Sequence, residues 1–349
     1  MNFTKLLFVF LTITVLLIGG AVFWLYNAVS SQYEHSKAEE FITIEKGTSP
    51  NAIIGKLTSE GIIKNPLATQ IYLRTFGDAS QLKAGDYQFK SPISALGVLE
   101  ELKAGKERTV KLTIPEGWTR FEIAKRVASR FKSDPPMDEK AVFYLMNDVS
   151  LIKDIDPRAK NLEGYLYPTT YEFSPEATPQ EIIKRMVKQF KKTWKPEWTV
   201  RAQQLGKTNQ EIVTIASLIE NESKVDEERK IVSSVIYNRL DRRMALGIDA
   251  TNVYIAKLLG KWDGVIHKSD IEINHPYNTR KISGLPPGPI SSASKSALEA
   301  ALNPAKTEYL YYVLNVEKND GSHNFYASAA EFERGKAKYQ KWLAEQRRK

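Results

Sequence analysis

An α+β protein carried on one membrane-spanning helix is the fold class this sequence predicts. Three patterns predict it: a charge-free apolar run near the amino terminus, short strand–turn–helix units after it, and longer helical repeats broken by Gly and Pro thereafter. The chain has 349 residues, 42% hydrophobic and 10% aromatic, which is apolar material for roughly two domain cores. There is no Cys, so disulfide scaffolds, thiol nucleophiles and Cys-ligated metal centres are excluded. Four His and no HExxH pattern argue against a multi-His site, so neither a metal nor a cofactor is expected.

The first element spans residues 6–26, LLFVFLTITVLLIGGAVFWLY, which carries no charge. At 1.5 Å per residue it covers about 30 Å, the thickness of a bilayer's hydrocarbon core. Phe23, Trp24 and Tyr26 stand at its far end, where amphipathic rings suit the membrane interface. A buried core helix would show a polar face, and only Thr12 and Thr14 interrupt this one. A cleaved signal peptide would have a shorter apolar stretch, with Gly19-Gly20-Ala21 as the nearest exit site. A retained anchor is therefore expected. Lys5 precedes the run, while Glu34, Glu39 and Glu40 outnumber Lys37 after it. The positive-inside bias then puts residues 1–5 in the cytoplasm and everything past the anchor outside. A Cys-free chain suits such an oxidising space.

Residues 27–40 are polar and lack apolar periodicity, which predicts a stalk. A small α+β module is expected over 41–110. Alternation at residues 41–45 predicts a strand, Gly47 a turn, and Ser49-Pro50 the start of a helix with Ile53, Ile54 and Leu57 inward. Residues 82–89 predict a Gly-broken strand, and residues 93–102 a helix ending near Gly105. A second strand–turn–helix unit follows at 111–131, with Leu112 and Ile114 in the strand, Gly117 in the turn and Thr119 as the cap. Helix is expected on to about Val149, with a break at Asp156-Pro157. The aromatic stretch 161–173, NLEGYLYPTTYEF, would either stack on sugars or fill a core. Thr178-Pro179 then opens an amphipathic helix bearing Ile182, Ile183, Met186, Val187 and Phe190.

Chemistry points to the helix that starts near Gln210. On a wheel of about 100° per residue with Ile212 at zero, Thr214, Ser217 and Asn221 gather into a polar face between about 140° and 200°. Glu220 falls at about 80°, beside Ala216 and Val213, and Glu222 at about 280°, between Ile215 and Leu218. Periodicity does not choose between the two acids. It does place them too far apart around the helix to flank one scissile bond as a glycosidase pair. A carboxyl among apolar neighbours has a raised pKa and suits proton donation near neutrality; the alternative is a Glu220 paired with Arg229 or Lys230.

Four ordered segments carry a resemblance: IASLIENES (215–223), EERKIVSSVIYNRL (227–240), PYNTRKISGLPPGPI (276–290) and NPAKTEYLYYV (303–313). Together they resemble the MltG/YceG-like family of endolytic murein transglycosylases. That resemblance implies a catalytic domain over 111–349, and the preceding strand–Gly–helix unit at 41–110 resembles a LysM-like module, though a plain packing domain would read the same. It implies cleavage of the MurNAc-β-1,4-GlcNAc bond of nascent peptidoglycan by attack of the muramic O6 on C1, leaving a 1,6-anhydro end. One carboxyl suffices, and the family's catalytic glutamate matches Glu220, with Glu222 in a supporting role. Asp249, Thr251, Tyr277, Asn278, Thr279, Pro287 and His323 match further substrate-side positions. Thr169, Gly247, Ala250 and the residues after Phe325 depart from the usual pattern.

Glycan strands and the membrane are the partners the resemblance implies, with wall synthases by analogy. The net charge of +9 is scattered without a nucleic-acid motif, so anionic membrane and wall polymers fit it better than nucleic acid. Two other functions stay open: a hydrolytic muramidase with Asp249 as second acid, and a non-catalytic wall-binding scaffold.

Overall fold

The computed structural model describes residues 3–105, 109–131 and 136–348, with side chains from residue 7 onward. Met1 and Asn2 of the expected cytoplasmic tail lie outside the described residues. The chain divides into two compact units, Met1–Val110 and Lys111–Lys349.

The first unit runs α1 (Phe3–Ser30), β1 (Gln32–Tyr33), β2 (Ile42–Ile44), α2 (Pro50–Ser59), α3 (Pro66–Thr75), β3 (Gly85–Tyr87), β4 (Ile93–Ser94) and α4 (Ala95–Ala104). Helix α1 is long and apolar enough over Leu7–Ser30 to cross a membrane. Two hydroxyls within the apolar run are satisfied inside the helix: Thr12 donates to the Phe8 carbonyl and Thr14 to that of Phe10, each at 2.9 Å. Its rings face outward, with Phe8 and Phe23 each 72% exposed.

Residues 27–33 correct the expected stalk. Ala28 and Val29, together with Leu25, are buried with Ala68 of α3 and Ala95 of α4, and β1 pairs antiparallel with β4. Two small apolar residues are too few to register as periodicity, yet they are enough to dock the last turn of α1. Elsewhere the local signals are realised. Ser49 caps α2 by accepting from the Ala52 N–H, and Pro50 follows at the first helical position. β2 and β3 pair antiparallel, Ile42 opposite Tyr87, over a core of Ile53, Ile54, Leu57, Phe89, Val98 and Leu102. α4 stops at Gly105, whose φ of +67° is a left-handed cap that a side chain would strain.

In the second unit β5 (Val110–Thr113) leads to α5 (Arg120–Arg130), α6 (Glu139–Leu145), β6 (Thr170–Phe173), α7 (Pro179–Thr193), α8 (Pro196–Gln204), α9 (Asn209–Glu222), α10 (Arg229–Asp241), α11 (Asp249–Leu258), α12 (Lys268–Glu272), α13 (Lys295–Leu302), β7 (Tyr311–Leu314), β8 (His323–Tyr326) and α14 (Ala329–Gln346). β5 pairs with β6, and β7 with β8 as an antiparallel hairpin, Leu314 opposite His323. Capping boxes open α5 (Thr119 with Glu122), α7 (Thr178 with Glu181) and α9 (Thr208 with Glu211). The aromatic stretch fills the core: Tyr165 is 1% exposed and meets the Phe190 ring edge-on at 5.2 Å.

Helix α9 is the axis of this unit. Ile212 to Ile219 are all buried, so the helix is covered on every side. It packs on α8, α10, α11 and α13.

Candidate active site

The polar face of α9 holds the loop that follows Gly284. Ser217 Oγ accepts from the Ile290 N–H at 3.1 Å and donates to the Thr214 carbonyl at 2.7 Å. Asn221 Nδ2 donates to Ser291 Oγ at 2.7 Å. On the other flank, Ser292 exchanges backbone hydrogen bonds with the 117–118 turn: Gly117 N–H to the Ser292 carbonyl and Ser292 N–H to that of Trp118, both 2.8 Å. Three segments distant in sequence thus meet at the carboxyl end of α9.

Glu220 sits at that junction. Its side chain is 6% exposed, and of the two surroundings expected for it, apolar neighbours or a basic partner, the carboxylate has the basic partner, Arg229. Arg229 Nη1 donates to Oε2 at 2.9 Å and Nη2 to Oε1 at 3.2 Å. Ser294 adds its N–H at 2.8 Å and its hydroxyl at 2.5 Å, both to Oε2. These two donors come from the first turn of α10 and the cap of α13, because α9 packs against both helices. Asp226 Oδ1, 2.5 Å from Arg229 Nε, holds the guanidinium from the other side. Burial pulls the Arg229 pKa down, but the Glu220 and Asp226 carboxylates outweigh it and raise it.

Sequence reasoning missed a second acid here. Glu116, in the turn tied to Ser292, makes no side-chain hydrogen bond or ion pair among the described residues, and it is exposed. Partial burial and the Glu220 charge raise its pKa. Its position just before Gly117 was visible, but the pairing of that turn with residue 292 was not.

Glu222 is separated from Glu220 as the helix wheel requires. Its Oε2 accepts from the Tyr312 hydroxyl at 2.6 Å on β7. Burial raises its pKa, the Tyr312 bond opposes that, and the charge of Asp249 adds to it. His323, on β8, stands edge-on to Tyr312 at 5.3 Å and is held by Glu228, which accepts its N–H at 2.8 Å and lies 3.0 Å from Nδ1. Asp249 is bonded to Arg280 Nε at 2.8 Å. Of the acids nominated from sequence, Asp249 therefore belongs with Glu222 and not with Glu220.

Thr251, Asn278 and Thr279, expected on the substrate side, are fully buried. Asn278 Nδ2 donates to the carbonyls of Ile271 and Ile273 at 2.9 and 2.7 Å. Thr251 Oγ1 donates to the Ile248 carbonyl at 2.7 Å, and Thr279 Oγ1 accepts from the Ile248 N–H at 2.9 Å. Their polar atoms lock the 247–251 and 271–279 segments together, which positions neighbours instead of reaching a ligand. One such neighbour, Tyr277, does face open space, and it shares a cavity with exposed Pro287. Burial pushes the Tyr277 phenol up to about 12. Among the described residues no cluster of three His, Cys, Asp or Glu is arranged to hold a metal ion.

Comparison with known proteins places this geometry. The model of the YceG-like family matches residues 42–338. A Bacillus subtilis (strain 168) protein named endolytic murein transglycosylase is 34% identical over 340 residues, covering 93% of this chain and 91% of its own. A Streptococcus pneumoniae serotype 2 protein of the same name is 30% identical over 338 residues; 88% of this chain matches it, and the match spans 60% of its length. Among solved structures, a YceG-like protein from Listeria monocytogenes superposes with a TM-score of 0.58 at 32% identity, over 86% of this chain and 99% of that one.

Proposed function

The chain belongs to the YceG-like family, and from that premise we propose that it is a membrane-anchored endolytic murein transglycosylase, a lyase acting on the glycan strands of nascent peptidoglycan. The observation that carries this is Glu220: a 6%-exposed carboxyl held in one orientation by Arg229 and Ser294, with the other acid of its motif turned away to Tyr312. A single oriented carboxyl serves both proton transfers of the reaction. The protonated acid gives its proton to the GlcNAc O4 as the C1–O4 bond breaks. The muramic O6 then bonds to C1 and returns its proton to the same carboxylate, leaving a 1,6-anhydro end with no water consumed.

As it stands, the carboxylate accepts four hydrogen bonds, so proton donation requires one to open. Asp226 keeps Arg229 paired when that happens. Without such a second partner, releasing Glu220 would strand a buried guanidinium, which is costly. The anchor is read as α1, with residues 1–5 cytoplasmic and everything past the anchor outside. The LysM-like module at 41–110 would bind glycan, and wall synthases are the expected neighbours.

Glu116 favours one second reading, a hydrolytic muramidase, because its turn is bonded to Ser292 at the same junction and its carboxyl feels the charge of Glu220. Product chemistry separates the two. The full-length chain in detergent, incubated with purified glycan strands, is expected to release anhydro ends by mass spectrometry; reducing ends would establish hydrolysis instead. Glu220→Gln is expected to lower turnover by at least about 10²-fold in either case. Cleavage that survives this substitution would remove Glu220 from the chemistry, whereas no cleavage by the parent chain would leave the wall-binding scaffold.

A further inference from the structure

A cavity of about 350 Å³ opens in the second unit where the 159–165 segment, the first turn of α9, α11 and the 275–277 and 287–289 segments meet. Glu220 does not line it. Gln210 faces it from the start of α9, and Glu220 lies ten residues further along the same helix, roughly 15 Å at the α-helical rise.

The walls of this cavity are chemically mixed and firmly held. Tyr277 packs on the Tyr254 ring at 5.0 Å and on His275 at 5.9 Å, giving one aromatic side. The neighbouring Asn278 is anchored by two carbonyls. The opposite rim is as tight: a Cβ added at Gly164 would meet Pro289 Cβ at 2.6 Å. Within this frame several hydrogen-bonding groups have no protein partner among the described residues. They are the Tyr277 hydroxyl, His275 Nε2, the Gln210 side-chain amide and Asn161 Nδ2, the last on a residue whose Oδ1 accepts the Glu163 N–H at 2.9 Å. Glu163 itself lies at the floor, 2% exposed, accepting the Arg120 N–H at 3.1 Å.

Resting on the glycan-cleaving function above, we propose that this cavity is a remote glycan subsite that seats one N-acetylhexosamine ring of the strand being cut. A pyranose presents apolar C–H faces to an aromatic wall, and its hydroxyls and acetamide both donate and accept, as do the free phenol, imidazole and amides. The volume falls within the range of small-ligand sites. A strand held here and at Glu220 together is cut at an interior bond, because the two points are separated by more than one sugar ring.

The test uses the full-length chain in detergent. In the Glu220→Gln background, titration with chitotetraose followed by calorimetry is expected to show binding that Gln210→Ala and Tyr277→Phe each weaken about five- to tenfold, the loss of one hydrogen bond. In the active chain, the same substitutions are expected to raise KM for long glycan strands by a similar factor and leave kcat within about twofold. Unchanged affinity and KM in folded variants would overturn the subsite, as would a loss confined to kcat. A chain that cuts no glycan but still loses chitotetraose affinity with these substitutions would overturn the catalytic function and leave the subsite standing.

Discussion

Glu163 is enclosed by Arg120, Tyr254 and the turn before Tyr165, and burial raises its carboxyl to about 7 against the attraction of Arg120. A folded-state pKa above the unfolded value of 4.5 means that the folded chain holds an extra proton between those two pH values. Stability supplied by this group is therefore present below pH 4.5 and is lost as pH rises through about 7. The span corresponds to on the order of 3 kcal/mol. Glu163→Gln is expected to remove that slope, so thermal unfolding midpoints compared across the window should fall less in the variant than in the parent chain. Equal slopes would show that Glu163 titrates normally.

The close approach of two segments sets the next expectation. Gly164 has φ +81°, and its missing side chain leaves room for Pro289 and Val213: a Cβ added there would meet the Pro289 ring at 2.6 Å and Val213 Cγ1 on α9 at 3.0 Å. Gly164→Ala would put a side chain in a left-handed conformation and drive its Cβ into the Pro289 ring, and is expected to destabilise the second unit by about 2–3 kcal/mol. Denaturant unfolding reads this directly; a loss under ~0.5 kcal/mol would mean the loop yields easily. At α9 itself, helical geometry alone separates Glu220 from Glu222. Which partner each acid finds depends on α10, α13 and the β7–β8 hairpin.

For the chain taken entire, α1 is the helix long and apolar enough to cross a membrane. Its outward-facing rings have no protein partner over most of its length, and such a surface is stable only in lipid or detergent. Removing residues 3–24 while keeping Leu25, Ala28 and Val29 is expected to shift the chain from the membrane pellet to the soluble fraction with the first unit still folded. The intact chain should resist extraction by high salt, since apolar insertion is not screened. Release of the intact chain by salt would point to surface adsorption by its +9 charge.

Period, caps and breakers were readable because they are properties of a few adjacent residues. The long apolar helix, the Ser49, Thr119 and Thr178 caps, the inward face of α7 and the opposition of Glu220 to Glu222 all follow from short-range backbone geometry. Only the tertiary structure decided that Arg229 and Ser294 hold Glu220, that Glu116 comes within the reach of its charge, and that Asn278 is buried as a loop anchor. It alone docked Val29 into the first unit and assembled the Tyr277 cavity from five separate segments. The reason is physical: a buried polar group takes whichever partner chain closure brings within about 3 Å, and no local repeat in the sequence records that choice.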